Sequence, residues 1–291
     1  MTYCIGLKLE AGLILLSDTR TNAGLDNIAR FRKMLTWHVE GERALAIVTS
    51  GNLSITQGVV TRLQDAIARD KARGEAGNGV HGGAQGGAHG RASESGGSDE
   101  PIETLLNAPS MFRAAQLVGD TMREVQDRHR KALQEQGAEA DASILLAGQR
   151  KGGRQRLFLI YSAGNFIEAT WDTPFFQLGE HKYGKPILDR VIDPDTSIPT
   201  ALKAAMVSMD STLRSNLSVG MPLDLAVIET DTFRFAAERR IEQDDPDFAN
   251  ISARWSVAIK AAFESLPEMA SEAATAPQVL STPEGPDRQG A

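Results

Sequence analysis

The chain has 291 residues, 41% of them hydrophobic and 24% charged, with a formal net charge of -7 and a single cysteine, Cys4. This composition belongs to a globular protein with a sizeable core and excludes collagen-like, disulfide-scaffold and wholly disordered chains. The acidic balance argues against nucleic-acid binding, which needs a clustered basic surface, and a lone cysteine closes no internal disulfide, so a cytoplasmic location is expected.

In chain order, YCIGLKL, GLILLSD, KMLTWHV and RALAIVT are short β-rich runs separated by turn signals at Glu10-Ala11-Gly12 and Glu40-Gly41, and they predict four consecutive strands. Ser54 to Ala72 and Met111 to Gln134 carry helical periodicity. Between them, ten of the 27 glycines fall from Gly74 to Gly97. A Gly-rich disordered insertion at about 73–100 is therefore expected, with His81 and His89 as solvated linker residues in preference to metal ligands. ASILLAG, RLFLIYS, NFIEATW and FFQLG return to strand, Ile198 to Asn216 is a long helix, LDLAVIET and FRFAAERRIE are strands, and Ala249 to Leu266 is a last helix. Residues 2–267 read as one domain, and the Pro-rich stretch 268–291 as a disordered tail. The longest uncharged run, Ala44 to Thr61, is broken by polar residues, so no membrane span is expected, and Asp18 follows the first apolar run too closely for a signal peptide.

Strands in runs alternating with runs of helices imply an α+β protein. The arrangement that fits best is two antiparallel sheets packed face to face and covered by helices on both outer sides. A dinucleotide-binding reading fails, because the glycine-dense segment lacks strand-turn-helix context.

The first hairpin gathers the chemistry. A register sum near 22 places Thr2 opposite Arg20 and Cys4 opposite Asp18 on one polar face, with Tyr3, Ile5 and Leu7 on the other, apolar one. Removal of Met1 would leave Thr2 with a free α-amine, whose ordinary pKa of about 7.7 to 8.0 lets it accept the proton of the residue's own hydroxyl. A nearby ammonium would lower that pKa further. Lys33 is the candidate, with Asp18 orienting and charge-balancing it. The plainer alternative is that both are strand-end surface charges. Cys4 reads as a small buried residue, His38, His129 and His181 as surface or core histidines, and Trp37, Trp171 and Trp255 as core or interface anchors.

The opening TYCIGLKLEAGLILLSDTR, followed by RKM and VTSGN, resembles the proteasome-type peptidases of the N-terminal nucleophile hydrolase family. More narrowly, TYCIGL, SDTRTNAGLDN and SMDSTLRSNLSVG resemble the bacterial ancestral-β-subunit group, Anbu. The resemblance runs over roughly Thr2 to Leu266. It implies a four-layer αββα sandwich, Thr2 as nucleophile, Asp18 and Lys33 as its supporting pair, Gly51 as oxyanion donor, and Asp210 with Ser215 completing the site. Leu213 stands where many members of the wider family place a serine. Thr49 and Leu53 flank Gly51 and are read as substrate-pocket residues. The expected protein is a threonine peptidase hydrolysing peptide or amide bonds inside a homo-oligomer, ring or open spiral, without cofactor or metal and with any unfoldase partner unknown. The rival readings are an amidase acting on a small molecule and a non-catalytic scaffold.

Overall fold

The computed structural model describes residues 2–22, 28–78, 101–135, 137 and 140–268. The chain begins with a tight hairpin, β1 (Tyr3–Leu9) and β2 (Gly12–Asp18), then the short strands β3 (Arg20–Asn22) and β4 (Ile28–Arg30), β5 (Met34–Val39) and β6 (Arg43–Gly51). Two long helices follow, α1 (Leu53–Asn78) and α2 (Met111–Glu135), then strands β7 (Ala142–Arg150), β8 (Arg156–Ile160), β9 (Phe166–Glu168) and β10 (Phe175–Gly179). The remainder is α3 (Lys185–Val191), α4 (Ile198–Ser215), β11 (Leu223–Glu229), β12 (Phe235–Ile241) and α5 (Pro246–Glu264).

Two five-stranded antiparallel sheets form, ordered β10-β1-β2-β11-β12 and β5-β6-β7-β8-β9. Between them lies a dry core of Cys4, Leu13 and Leu15 from one sheet against Ala46, Val48 and Leu145 from the other. Because side chains alternate, β1 sends Tyr3, Ile5 and Leu7 the opposite way, onto Ala201, Ala205 and Met209 of α4. On the second sheet Leu45, Ile47, Ile144 and Leu146 meet Ile55, Val59, Met111 and Val118 of α1 and α2. The result is four layers, helix, sheet, sheet and helix, each interface closed by apolar side chains whose burial contributes about 1.5–3 kcal/mol apiece.

The hairpin register differs from the expected one. Leu9 pairs with Gly12 and Cys4 with Ser17, so the partners sum to 21. A sum of 22 would pair Leu9 with Leu13 around a three-residue loop, whereas the chain takes the commoner two-residue loop, here Glu10 and Ala11. Cys4 therefore lies opposite Ser17 in the core between the sheets, with Leu13 and Leu15, and Asp18 falls on the side of Tyr3 instead of sharing a face with Cys4. Two further differences are local. Helix α1 continues through Gly74 to Asn78 instead of stopping near Ala72, and the run NFIEATW supplies only the three-residue strand β9. The rest of the expected insertion, with His81 and His89, and the tail beyond 268 lie outside the described residues.

The chain separates into two compact units, Met1–Ser252 and Ala253–Ala291. In the described part of the second, the C-terminal half of α5 exposes Val257, Ile259 and Phe263, and Leu266 just beyond the helix is exposed too. Trp171 is exposed, and so are His38, His129 and His181.

Candidate active site

Thr2 stands immediately before β1 and is 8% exposed. It opens on a cavity of about 460 Å³ whose walls come from the end of β6 and the first turn of α1 (Thr49 through Ser54, and Thr56), from Thr21 and Lys33, and from Gly179 at the end of β10 with Glu180 after it. Pairing with β10 fixes the Thr2 backbone, since its carbonyl accepts the Glu180 N–H at 2.8 Å. Gly179 makes this approach feasible. Its φ is +76°, and a Cβ there would collide with the Thr2 carbonyl.

Lys33 and Asp18 form a buried ion pair on the inner side of the cavity. Lys33 Nζ donates to Asp18 Oδ1 at 2.6 Å and to the Arg20 carbonyl at 2.6 Å. The Lys33 carbonyl in turn accepts the Thr49 N–H at 3.0 Å, which joins the lysine to the opposite wall. Asp18, at the end of β2, is fully enclosed and accepts two backbone N–H groups, from Tyr3 at 3.1 Å and from Gly220 at 3.3 Å. Burial pushes its carboxyl above the usual range, opposed by the Lys33 ammonium and those two N–H groups. The pair is thus a held charge, not two surface groups at strand ends.

Gly51 closes β6 with φ +105°, where a Cβ would strike the Asp141 carbonyl. Only glycine is tolerated there without strain, and Gly51 lines the cavity on which Thr2 opens. Thr49 and Leu53 line the same cavity. The Cys4 thiol, one residue into β1, is pushed upward by burial and stays protonated, which removes it as a nucleophile.

Solved structures resemble this chain over nearly its whole length. Anbu from Hyphomicrobium sp. strain MC1 is 43% identical, with a TM-score of 0.74, over 92% of this chain and 99% of that one. Anbu from Yersinia bercovieri, described as the ancestral beta-subunit, is 40% identical with a TM-score of 0.74 over 92% and 99%. The helical Anbu complex from Pseudomonas aeruginosa gives 42%, 0.77, 92% and 98%. The chain belongs to the Anbu family. No family model and no curated protein sequence matches it. The four layers are the αββα sandwich of N-terminal nucleophile hydrolases, and the Anbu group is proteasome-related.

Against that family frame, two expected residues fall elsewhere. Asp210 and Ser215 lie on α4, over the outer face of the first sheet, and neither lines the cavity. Asp210 accepts from Arg214 at 3.1 Å, and the Ser215 hydroxyl donates to the Ser211 carbonyl at 2.8 Å. What the SMDSTLRSNLSVG segment contributes to this Anbu chain is Gly220, whose N–H reaches Asp18. Thr21 and Glu180 were also missed. The Thr21 hydroxyl is buried without a hydrogen-bond partner in the cavity wall, and Glu180 is the wall's carboxylate. Thr21 lies within SDTRTNAGLDN, where nothing marks it apart from its neighbours, and Glu180 sits in no motif and is brought to Thr2 only by the β1–β10 pairing.

Proposed function

We propose that the protein is an N-terminal threonine hydrolase cutting peptide bonds. The observation that carries this reading is the shared cavity of Thr2 and Lys33, with the lysine held 2.6 Å from the buried Asp18. With Met1 removed, the Thr2 nitrogen becomes an α-amine beside a fixed ammonium, which disfavours a second positive charge and keeps the amine available as a base. The hydroxyl then attacks a carbonyl seated across from it, and its proton passes to the amine directly or through a water. Negative charge developing on the carbonyl oxygen is met by the Gly51 backbone N–H, held in place by the φ only glycine adopts comfortably. Collapse expels the leaving amine, which takes up the proton, and water hydrolyses the ester. Thr49 and Leu53 line the substrate side.

Self-association belongs to the same reading. The Pseudomonas aeruginosa relative is a helical assembly, and the exposed Ile259 and Phe263, one turn apart on α5, give this chain apolar surface suited to a second copy. A peptide or protein substrate and a cytoplasmic site of action complete it.

The test is the intact mass of the purified protein before and after treatment with a peptide epoxyketone, which needs both a hydroxyl and a free α-amine on one residue. Loss of Met1 and a single adduct at Thr2, absent from Thr2→Ala, are expected. Retained Met1 in protein that hydrolyses peptides, or unchanged hydrolysis by Thr2→Ala, would sink the mechanism. A monomer by light scattering at micromolar concentration would remove the assembly.

A further inference from the structure

Charge is distributed unevenly around the cavity. Two charged residues line it among the described residues, Lys33 and Glu180. Lys33 is spent inward, on Asp18 and the Arg20 carbonyl. Asp18 balances its charge.

Glu180 is held differently. Its backbone is pinned by the N–H bond to Thr2, so the residue cannot move away from the nucleophile. Its side chain is 14% exposed, and the cation near it is Lys182 at 3.5 Å, whose own side chain is 65% exposed. Lys182 also has a second seat, its ammonium lying 5.1 Å from the centre of the Tyr183 ring. An exposed lysine on a flexible stem compensates a carboxylate weakly, and giving it up costs little. The remaining polar wall residues beside Thr2, namely Thr21, Thr49, Ser50, Asn52, Ser54 and Thr56, have uncharged side chains. The volume of about 460 Å³ is in the range that accepts a small ligand or a long side chain.

We propose that Glu180 makes this cavity select peptides with a cationic residue, arginine or lysine, beside the amide to be cut. The proposal rests on the threonine-hydrolase reading. A guanidinium entering the cavity would exchange water for a largely covered carboxylate and displace Lys182 toward Tyr183 and solvent. A neutral side chain of the same shape would leave Glu180 with only its exposed partner. Glu180 is a specificity residue in this account, since it touches substrate but moves no proton.

The experiment compares two internally quenched peptides of one sequence, one with arginine at alternate positions and the other with citrulline, the uncharged isostere, in its place. The ratio of their kcat/KM values is read at low salt for the wild type, Glu180→Gln and Glu180→Lys. Attraction of this kind predicts a wild-type ratio of about tenfold in favour of arginine. Glu180→Gln should bring it to about one, and Glu180→Lys should invert it. Raising salt should shrink the wild-type ratio toward one, a reading that needs no variant to fold. A leucyl epoxyketone, which carries no charge, reports the nucleophile separately. If it labels Thr2 while the wild type shows no arginine preference, or cuts neither peptide, Glu180 selectivity is overturned and the hydrolase stands. A preference that persists in Glu180→Gln overturns it equally. If Thr2 takes no label and neither peptide is cut, the hydrolase reading falls and carries this proposal with it.

Discussion

Asp18 and Glu168 are both paired with lysine, near opposite ends of β1, and they titrate in opposite directions. At the Thr2 end burial drives Asp18 upward, although Lys33 lies 2.6 Å away. At the hairpin end Glu168 experiences some burial too, but Arg156, Lys8 and Arg154 together hold it below the usual carboxylate range. The difference lies in solvent and in numbers. One end encloses a single carboxylate with a single lysine, while the other offers three cations to one carboxylate whose side chain is 22% exposed. Enclosed pairs of the first kind cost desolvation that a plain apolar core would avoid, so their presence asks for a reason outside stability. The Thr2 cavity supplies one.

The largest effect should come from breaking the enclosed pair. Lys33→Ala would leave Asp18 buried and uncompensated, costing about 3–5 kcal/mol, read as a shift in the urea midpoint. Replacing both partners, Asp18→Leu with Lys33→Met, should recover most of that loss, and yet epoxyketone should no longer label Thr2. A double variant as unstable as Lys33→Ala alone would show that the pair serves the fold more than the site. Next in size is Gly51→Ala, where forcing φ +105° on alanine against the Asp141 carbonyl should cost roughly 1–3 kcal/mol and depress labelling as well.

Legibility from the sequence followed the range of the forces involved. Apolar runs such as GLILLSD and LDLAVIET match β2 and, with Thr230 in excess, β11, because a strand buried on both faces advertises itself residue by residue. The elements missed were short, β3, β4 and α3, and marginal without their neighbours. Lys33 and Asp18 could be named because the chemistry of an N-terminal threonine demands an ammonium and a counter-charge. Gly220 and Glu180 could not. One acts through a backbone N–H that any residue but proline possesses, and the other reaches Thr2 through strand pairing across about two thirds of the domain. The register error had a similar root, since hydrophobic alternation fixes faces but the turn decides which residues meet.

Acid should separate the two ends. Asp18 has its folded pKa raised, so it takes up a proton above the ordinary range near 3.9 and does so more readily folded than unfolded. Protonating it discharges the partner of Lys33 without loosening the fold. Glu168 has its folded pKa lowered, and the stability it contributes is present above its unfolded value near 4.3 and lost as pH falls through the folded one. Labelling of Thr2 should therefore fail at a higher pH than the fold does, as followed by epoxyketone rate and circular dichroism on the same samples. Coincident loss would contradict the opposed shifts.

The smallest effect should come from Lys8→Met at the hairpin end. Lys8 donates to the Ala169 carbonyl at 2.8 Å and lies 4.0 Å from Glu168, contacts that look stabilising on inspection. Yet burial lowers its pKa more than Glu168 raises it, with Arg154 and Arg156 pushing the same way as burial, so the charged form is disfavoured in the fold. Methionine keeps the apolar stem and removes the charge from a group of three cations. What is lost is one donor to the Ala169 carbonyl, a hydrogen bond whose net worth is about 0.5–1.5 kcal/mol. The net change should stay within about 1 kcal/mol of zero. A loss comparable to that of Lys33→Ala would mean that the hairpin end, too, is held by an enclosed pair, and that exposure does not distinguish the two lysines.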